Sequence, residues 1–250
     1  MSSNLKKLSS EKESLGIGFV YNAVLSKKRK AIIDDGCNPE LVAGARFDGI
    51  FEIPIIERPK NFIIPDVIVP FSERNKASKI NAAIGYNEMD VNFAEVLINP
   101  ETYIKDFIRF PMMISPDCSL YRNAPLSVQI INVYRNRAIG CYYQRKGIYV
   151  VPQIRWGNEL TYTTKVLPEK IAFLGVEKHS IVSIGTYGCI KSKEDKLHFK
   201  SGLEAMLEVL EPKVVLVYGS MPATIFSDYL HLTKFVQYDN WTKLKHGGKY

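Results

Sequence analysis

VVLVYGS (214–220), SIVSIGTYG (180–188), YVVPQIRW (149–156) and MMISPD (112–117) share one pattern, an apolar run that stops on polar, aromatic or glycine residues. Short runs with no polar alternation read as strands buried on both faces, the condition of a parallel sheet covered by helices. Between the first two of these in chain order, Ala124-Pro125 opens a long helical pattern over 125–146. Its apolar residues Val128, Ile131, Tyr134, Ala138 and Tyr142 recur at three- and four-residue steps, and Gln129, Asn132 and Asn136 form a polar stripe on the other face. Gly147 closes it, giving a strand–helix–strand unit whose crossover is expected to be right-handed. Ser201 to Leu210 and Ala223 to Leu232 read as further helices.

Upstream, ARFDGIFEIPIIERPK (45–60) and NFIIPDVIVPFSE (61–73) look extended but are interrupted by Pro54, Pro59, Pro65 and Pro70. Proline donates nothing to a ladder, so these strands belong at an edge, at a strand start or at a bulge. MDVNFAEVLI (89–98) reads as another short strand. Asn99-Pro100-Glu101 then supplies a cap, a proline at the first helical position and an acidic first turn for a helix over 100–108. The expected fold is a single α/β domain over 41–240 with a mainly parallel sheet, of partial-barrel or Rossmann-like form. An extended, partly flexible N-terminal arm (1–40) with edge strands precedes it and a basic tail (241–250) follows.

At 250 residues the chain can bury one large core, and 46% hydrophobic against 24% charged residues is the balance of a globular protein rather than a disordered one. The apolar runs reach strand length only, short of the roughly 20 residues of a membrane span, and MSSNLKKLSSEKES lacks a signal-peptide core. A cytoplasmic protein with no membrane partner is expected. Cys37, Cys118, Cys141 and Cys189 have neither zinc-site nor disulfide-framework spacing. Cys118 and Cys189 do fall at strand ends, where a thiol nucleophile could sit, but no histidine is placed to activate them. The net charge of +7 favours anionic partners. The densest basic run, Lys27 to Lys30, reads first as a solvated helix face or loop and second as a phosphate-binding patch.

If the four strands run parallel, their carboxyl ends gather Asp117, Ser119 and Tyr121; Arg155 and Trp156; Thr186, Tyr187 and Gly188; and Tyr218, Gly219 and Ser220. Turns account for the Gly, Ser and Asp; they do not require the Arg, Trp and Tyr. Asp117 is the one carboxylate directly closing these strands, a candidate general base or an anchor for a hydroxyl or amide. Arg155 beside Trp156, with Tyr187 and Tyr218 nearby, suits a ligand with negative charge and a flat ring, although Trp156 and Tyr218 would equally plug the end of a core. Gly188 and Gly219-Ser220 allow close backbone approach. No Walker loop, dinucleotide fingerprint or Gly-x-Ser-x-Gly elbow is present, so no cofactor is assigned. Asp90, Glu95 and Asp117 would suit magnesium only if brought together, and nothing in their spacing demands it.

The order PDCSLY (116–121), QIINVYRNRAIGCYYQRKG (129–147), VVPQIRWG (150–157), SIGTYGC (183–189) and VYG (217–219) resembles domain of unknown function 4417, a family of phages, plasmids, integrative elements and bacteria. The resemblance covers about residues 40 to 220 and falls on Asp117, Ser119, Tyr121, Asn132, Tyr134, Arg135, Arg137, Trp156, Gly188, Tyr218 and Gly219. The chain departs from the family pattern at Cys118, where other members carry an aromatic residue, and at Asn92, where they carry a histidine. The resemblance implies a phage or mobile-element product acting in a bacterial cell, and no particular activity.

The leading expectation is a pocket protein, enzyme or sequestering binder, for an anionic nucleotide-like molecule. Asp117 would be its reacting carboxylate, and Ser119, Tyr121, Asn132, Arg135, Arg155, Trp156, Tyr187, Gly188, Tyr218, Gly219 and Ser220 its binding residues. The alternative is a nucleic-acid-binding accessory protein using Lys27 to Lys30, Arg135, Arg137, Arg145 and the carboxyl tail. A glycosidase-like barrel ranks last, because two strand ends would each need a carboxylate.

Overall fold

A computed structural model describes residues 38–76 and 81–246. The Lys27–Lys30 run, Cys37, most of the expected N-terminal arm and the end of the basic tail lie outside these residues. The fold is α/β with parallel strands laid down in chain order. β1 (Phe47–Asp48) and β2 (Ile53–Pro54) form a small antiparallel pair. β3 (Val67–Pro70), β4 (Ala82–Gly85), β5 (Met112–Ile114) and β6 (Val150–Val151) form a four-stranded parallel sheet. β7 (Ile181–Gly185), β8 (Val214–Tyr218) and β9 (Lys234–Tyr238) form a three-stranded parallel one. Among the described residues the two are joined by one bridge, Gln153↔Ser183. Ile154 N–H donates to the Ser183 carbonyl at 2.7 Å and Ser183 N–H to that of Pro152 at 2.9 Å.

Alternation along each strand explains the continuous apolar runs. Ile68, Ala83, Met112, Ile114, Val151, Ile181, Val214, Leu216, Tyr218 and Tyr238 meet in one cluster on the concave face. The opposite face divides in two. Val67, Val69, Ile84, Met113 and Val150 pack with α3 (Leu126–Arg145), while Val182, Val215 and Val217 pack with α4 (Lys193–Leu210). Edge strands β3 and β9 share the concave cluster, and Tyr238 Oη donates to the Pro65 carbonyl at 2.8 Å. Among the described residues no ladder joins β9 to β3, so the sheet is a curled, open barrel. Pro70 ends edge strand β3, in keeping with its missing donor.

Several elements differ from the sequence expectation. Residues 89–98 are a 3₁₀ turn and helix α1 (Ala94–Ile98), because Phe93 and Val96, three apart, are the buried pair while Val91 faces solvent. The helix expected over 100–108 is a 3₁₀ turn, Pro100–Tyr103, followed by α2 (Ile104–Phe107). α4 begins eight residues before Ser201, at a capping box in which Ser192 and Asp195 each accept the other's backbone N–H. The last expected helix is α5 (Ala223–Phe226) plus a 3₁₀ turn, and α6 (Trp241–His246) closes the described chain. β4 and β9 are strands the sequence reading did not anticipate.

α3 has the predicted span but the reverse orientation over its first half. Val128 and Ile131 are each 42% exposed, whereas Gln129, Asn132 and Asn136 are buried. The stripe is buried because it is fully employed: it satisfies the backbone of the loops that follow β5 and β6.

Candidate functional site

The loop after β5 is held from two sides. Asn136 Oδ1 accepts from Cys118 N–H at 2.7 Å and its Nδ2 donates to the Cys118 carbonyl, while Asn132 Nδ2 donates to the Ser119 carbonyl at 2.7 Å. Gln129 donates to the Ala124 carbonyl and accepts from Asn158 N–H, tying in the loop beyond Trp156. Across the loop, Asp90 accepts from both the backbone N–H (3.0 Å) and the hydroxyl (2.9 Å) of Ser119. Asp117 is thereby fixed at the end of β5.

Beyond the Gln153–Ser183 bridge the ends of β6 and β7 part, and a cleft of about 250 Å³ opens at this seam. Its walls are Leu120, Tyr121 and Arg122; Ile154, Arg155 and Trp156; Ile184, Gly185, Gly188 and Cys189; and, from the start of α4, Asp195, His198 and Phe199. At its floor Arg155 Nε and Nη2 each donate to one oxygen of Asp117 at 2.5 Å, a bidentate pair in which Asp117 is 2% exposed and the Arg155 side chain 24%. Asn87 Nδ2 donates to the same carboxylate at 3.3 Å. Burial opposes the charge on Arg155, but the attraction and hydrogen bonds of Asp117 outweigh it and leave the guanidinium pKa raised. The outer edge of the guanidinium still faces the cleft. Gly185 is required here by space: a Cβ would lie 2.5 Å from Asn87 Nδ2.

Burial pushes the thiols of Cys118 and Cys189 upward; neighbouring Asp90 adds to the effect at Cys118, and Arg155 opposes it at Cys189. Neither is an activated nucleophile. His198 Nε2 lies 2.6 Å from the Gly157 carbonyl and Nδ1 3.3 Å from Tyr162 Oη. That pattern fits a neutral ring that donates from Nε2 and accepts at Nδ1. Burial lowers its pKa against the opposing pull of the carbonyl. At the rim Arg122 reaches Asp195 (2.9 Å) and Glu194 (3.3 Å).

Of the residues singled out in the sequence, Tyr121, Arg155, Trp156 and Gly188 line this cleft, and Asp117 is joined to it through Arg155. Trp156 is 8% exposed, its ring 4.9 Å from that of Phe199 and pressed against Gly202, so it presents only part of itself. Ser119, Asn132 and Arg135 stand behind the loop as its supports, Arg135 donating to Asn132 Oδ1. Tyr187, Tyr218, Gly219 and Ser220 lie at the ends of β7 and β8 and do not line the cleft. Tyr187 is exposed and meets Tyr218 edge-on at 6.5 Å. Tyr218 is buried and its hydroxyl accepts from Trp241 N–H. Ser220 offers its carbonyl to Thr186 Oγ1.

Of the arginines named for nucleic acid, Arg137 faces inward and Arg145 is exposed. Arg137 is buried and donates to the carbonyls of Leu174, Gln153 and Ala172, and burial lowers its pKa to about 10 against the pull of Asp117 and Asp48. Arg145 donates to the Leu41 carbonyl. Among the described residues no three His, Cys, Asp or Glu side chains gather to hold a metal ion, and no helix is long and apolar enough to cross a membrane. Sequence reading missed Asn87, Gln153 and Ser183 at the seam, and Arg122 and His198 at its mouth. Asn87 follows the unrecognised strand β4, and His198 sits on the unrecognised first turns of α4.

An open parallel α/β sheet with a cleft at its carboxyl rim is the class of protein defined so far. The family model described as domain of unknown function (DUF4417) matches residues 45–239, and the chain belongs to that family. It is 30% identical over 174 residues to the Gene 1 protein of Mycobacterium phage L5, covering 68% of this chain and 72% of that one. It is 27% identical over 193 residues to the Gene 1 protein of Mycobacterium phage D29, covering 76% and 67%. The chain is thus a member of a phage-associated family. No solved structure matches it.

Proposed function

We propose that the seam between β6 and β7 binds a small anionic, mononucleotide-like molecule. The observation that carries this reading is the bidentate Asp117–Arg155 pair at the floor of the cleft. A buried ion pair contributes little net stability, because desolvation offsets its attraction, and such pairs concentrate where an oriented charge is used. Asp117 then acts as the anchor that aims Arg155, with its oxygens engaged by Arg155 and Asn87. The edge of Arg155 not taken by Asp117, which neighbours the Cys189 thiol, is a donor for phosphate, Ile154, Ile184 and Leu120 supply apolar walls, and Tyr121 stands exposed at the mouth. Ligand pockets run from about 300 Å³ upward, so about 250 Å³ suits one ring system with its sugar or phosphate rather than a dinucleotide.

Calorimetric titration of the purified chain with AMP, GMP, CMP, UMP and ADP-ribose tests this. Saturable binding of at least one mononucleotide is expected, weakened about tenfold or more when Arg155 is replaced by Lys, which keeps the charge but loses the fork. Absence of binding by all five, or binding indifferent to Arg155→Lys, refutes it.

A further inference from the structure

The concave face carries a polar layer beside the Asp117–Arg155 pair that the fold itself does not use. Gln153 and Ser183 are register partners across the bridge joining β6 to β7, and both are at most 1% exposed. The concave residues preceding them on the same strands, Val151 and Ile181, are apolar, so the change to amide and hydroxyl is confined to the rim. Among the described residues, both amide atoms of the Gln153 side chain, Ser183 Oγ and Asn87 Oδ1 have no hydrogen-bond partner. Native proteins leave few buried polar groups unpaired, and here three residues do so together beside one cleft.

The layer is also held in place. Gln153 N–H donates to Ser115 Oγ at 2.9 Å and its carbonyl accepts from Arg137 at 2.7 Å, which fixes the backbone from which the unpaired amide projects. Gln153, Ser183 and Asn87 do not themselves line the cleft; Gly185, which does, is the residue that separates them from it. A Cβ at that position would stand 2.5 Å from Asn87 Nδ2 and 3.8 Å from Gln153 Nε2. A group that enters past Gly185 and moves the Asn87 side chain aside would therefore reach a primary amide that offers a donor and an acceptor side by side, flanked by a hydroxyl and a second amide oxygen.

We propose that this layer reads the edge of a nucleobase. The paired donor and acceptor of Gln153 match a base edge that carries an amino group beside a ring nitrogen or carbonyl, the geometry by which glutamine recognises bases elsewhere. The base presents one edge at Gly185, and its sugar and phosphate remain in the cleft beside Arg155. This inference rests on the mononucleotide reading of the cleft and adds a specificity to it: base identity, not only phosphate, sets affinity.

The test compares AMP, GMP, CMP and UMP with ribose 5-phosphate by calorimetry, on the wild-type chain and on Gln153→Met and Ser183→Ala. One nucleotide is expected to bind at least about tenfold tighter than ribose 5-phosphate. Gln153→Met should erase that margin while leaving ribose 5-phosphate affinity unchanged, and Ser183→Ala should reduce it in part. Because an unpaired amide is being replaced by an apolar chain of similar size, the urea midpoint of Gln153→Met should stay level or rise. If nucleotides and ribose 5-phosphate bind equally well, or Gln153→Met keeps the margin, base reading is wrong and the cleft reading survives. If neither kind of ligand binds, both fall. A lowered urea midpoint in Gln153→Met together with an intact margin identifies the amide as a structural group and also overturns the proposal.

Discussion

Replacing Arg155 by Met removes the cation from a carboxylate that is only 2% exposed, and the structure sets the size of the effect. Two charged hydrogen bonds of 2.5 Å are lost, and Asp117 keeps only Asn87 at 3.3 Å. Removing one partner of a buried pair costs about 3–5 kcal/mol, because the remaining charge is left desolvated. For a chain of this size each kcal/mol lowers Tm by roughly 2–4 °C, so Arg155→Met should melt about 6–20 °C below wild type. The reciprocal change is milder. Asp117→Asn strands an arginine whose side chain is 24% exposed and reaches cleft solvent, so its loss should be smaller than that of Arg155→Met. The double variant Asp117→Asn/Arg155→Met should recover much of the loss, with a coupling energy of about 2 kcal/mol or more in a urea-unfolding double-mutant cycle. An Arg155→Met cost below about 1 kcal/mol, or additive single effects, would mean that the pair behaves as a surface ion pair. Its charge would then mark no site.

Gly185→Ala should weaken mononucleotide binding about tenfold for a stability loss of about 1–3 kcal/mol, since its methyl displaces Asn87 from Asp117; calorimetry and urea unfolding measure the two effects. Asn136→Ala leaves the buried N–H and carbonyl of Cys118 unpaired and should cost about 1–3 kcal/mol. It should also speed modification of the buried Cys118 thiol by a disulfide reagent, and an unchanged rate would refute the clamp. His198 has a folded-state pKa below its unfolded value because it is buried. The unfolded chain therefore binds the proton more readily, and the histidine's contribution is present above the unfolded pKa of about 6.5 and lost as pH falls through the lower folded value. In urea unfolding at a series of pH values, His198→Gln should lose less stability than wild type between about pH 7 and pH 5. Parallel curves would show that the ring is not held neutral.

How much of this was legible in the sequence depends on what each element buries. β7 and β8 are covered on both faces, so SIVSIG and VVLVY are unbroken apolar runs and their identity as strands is plain. β4 is AAIG, in which every residue but Ile84 has low strand propensity, and becomes a strand because β3 and β5 offer ladders on both sides. Nothing local announces it, and with it was lost Asn87, which stands two residues beyond the end of that strand. The α4 capping box lies in a run of lysines and acids, where polarity conceals the start of a helix. Arg155 and Asp117 could be named from sequence because each ends a recognisable strand. Their direct pairing could not, because it depends on β5 and β6 being neighbours in register.

The polar stripe of α3 shows why periodicity alone can give the right helix and the wrong orientation. A three-to-four-residue repeat establishes two faces, and the usual rule turns the apolar one inward because that burial supplies most of a helix's stability. Here Gln129, Asn132 and Asn136 face loops whose backbone groups are cut off from solvent, and each such group left unpaired would cost about 1–3 kcal/mol. The stripe makes five hydrogen bonds to those loops. Against that, the partial exposure of Val128 and Ile131 forfeits a fraction of the roughly 1.5–3 kcal/mol that full burial of each would contribute. The balance favours amides facing inward wherever an irregular loop rather than a sheet lies beneath the helix. An inward polar stripe is therefore itself a pointer to the site: it marks where the fold holds non-repetitive backbone rigid, and in this protein that backbone carries Asp117.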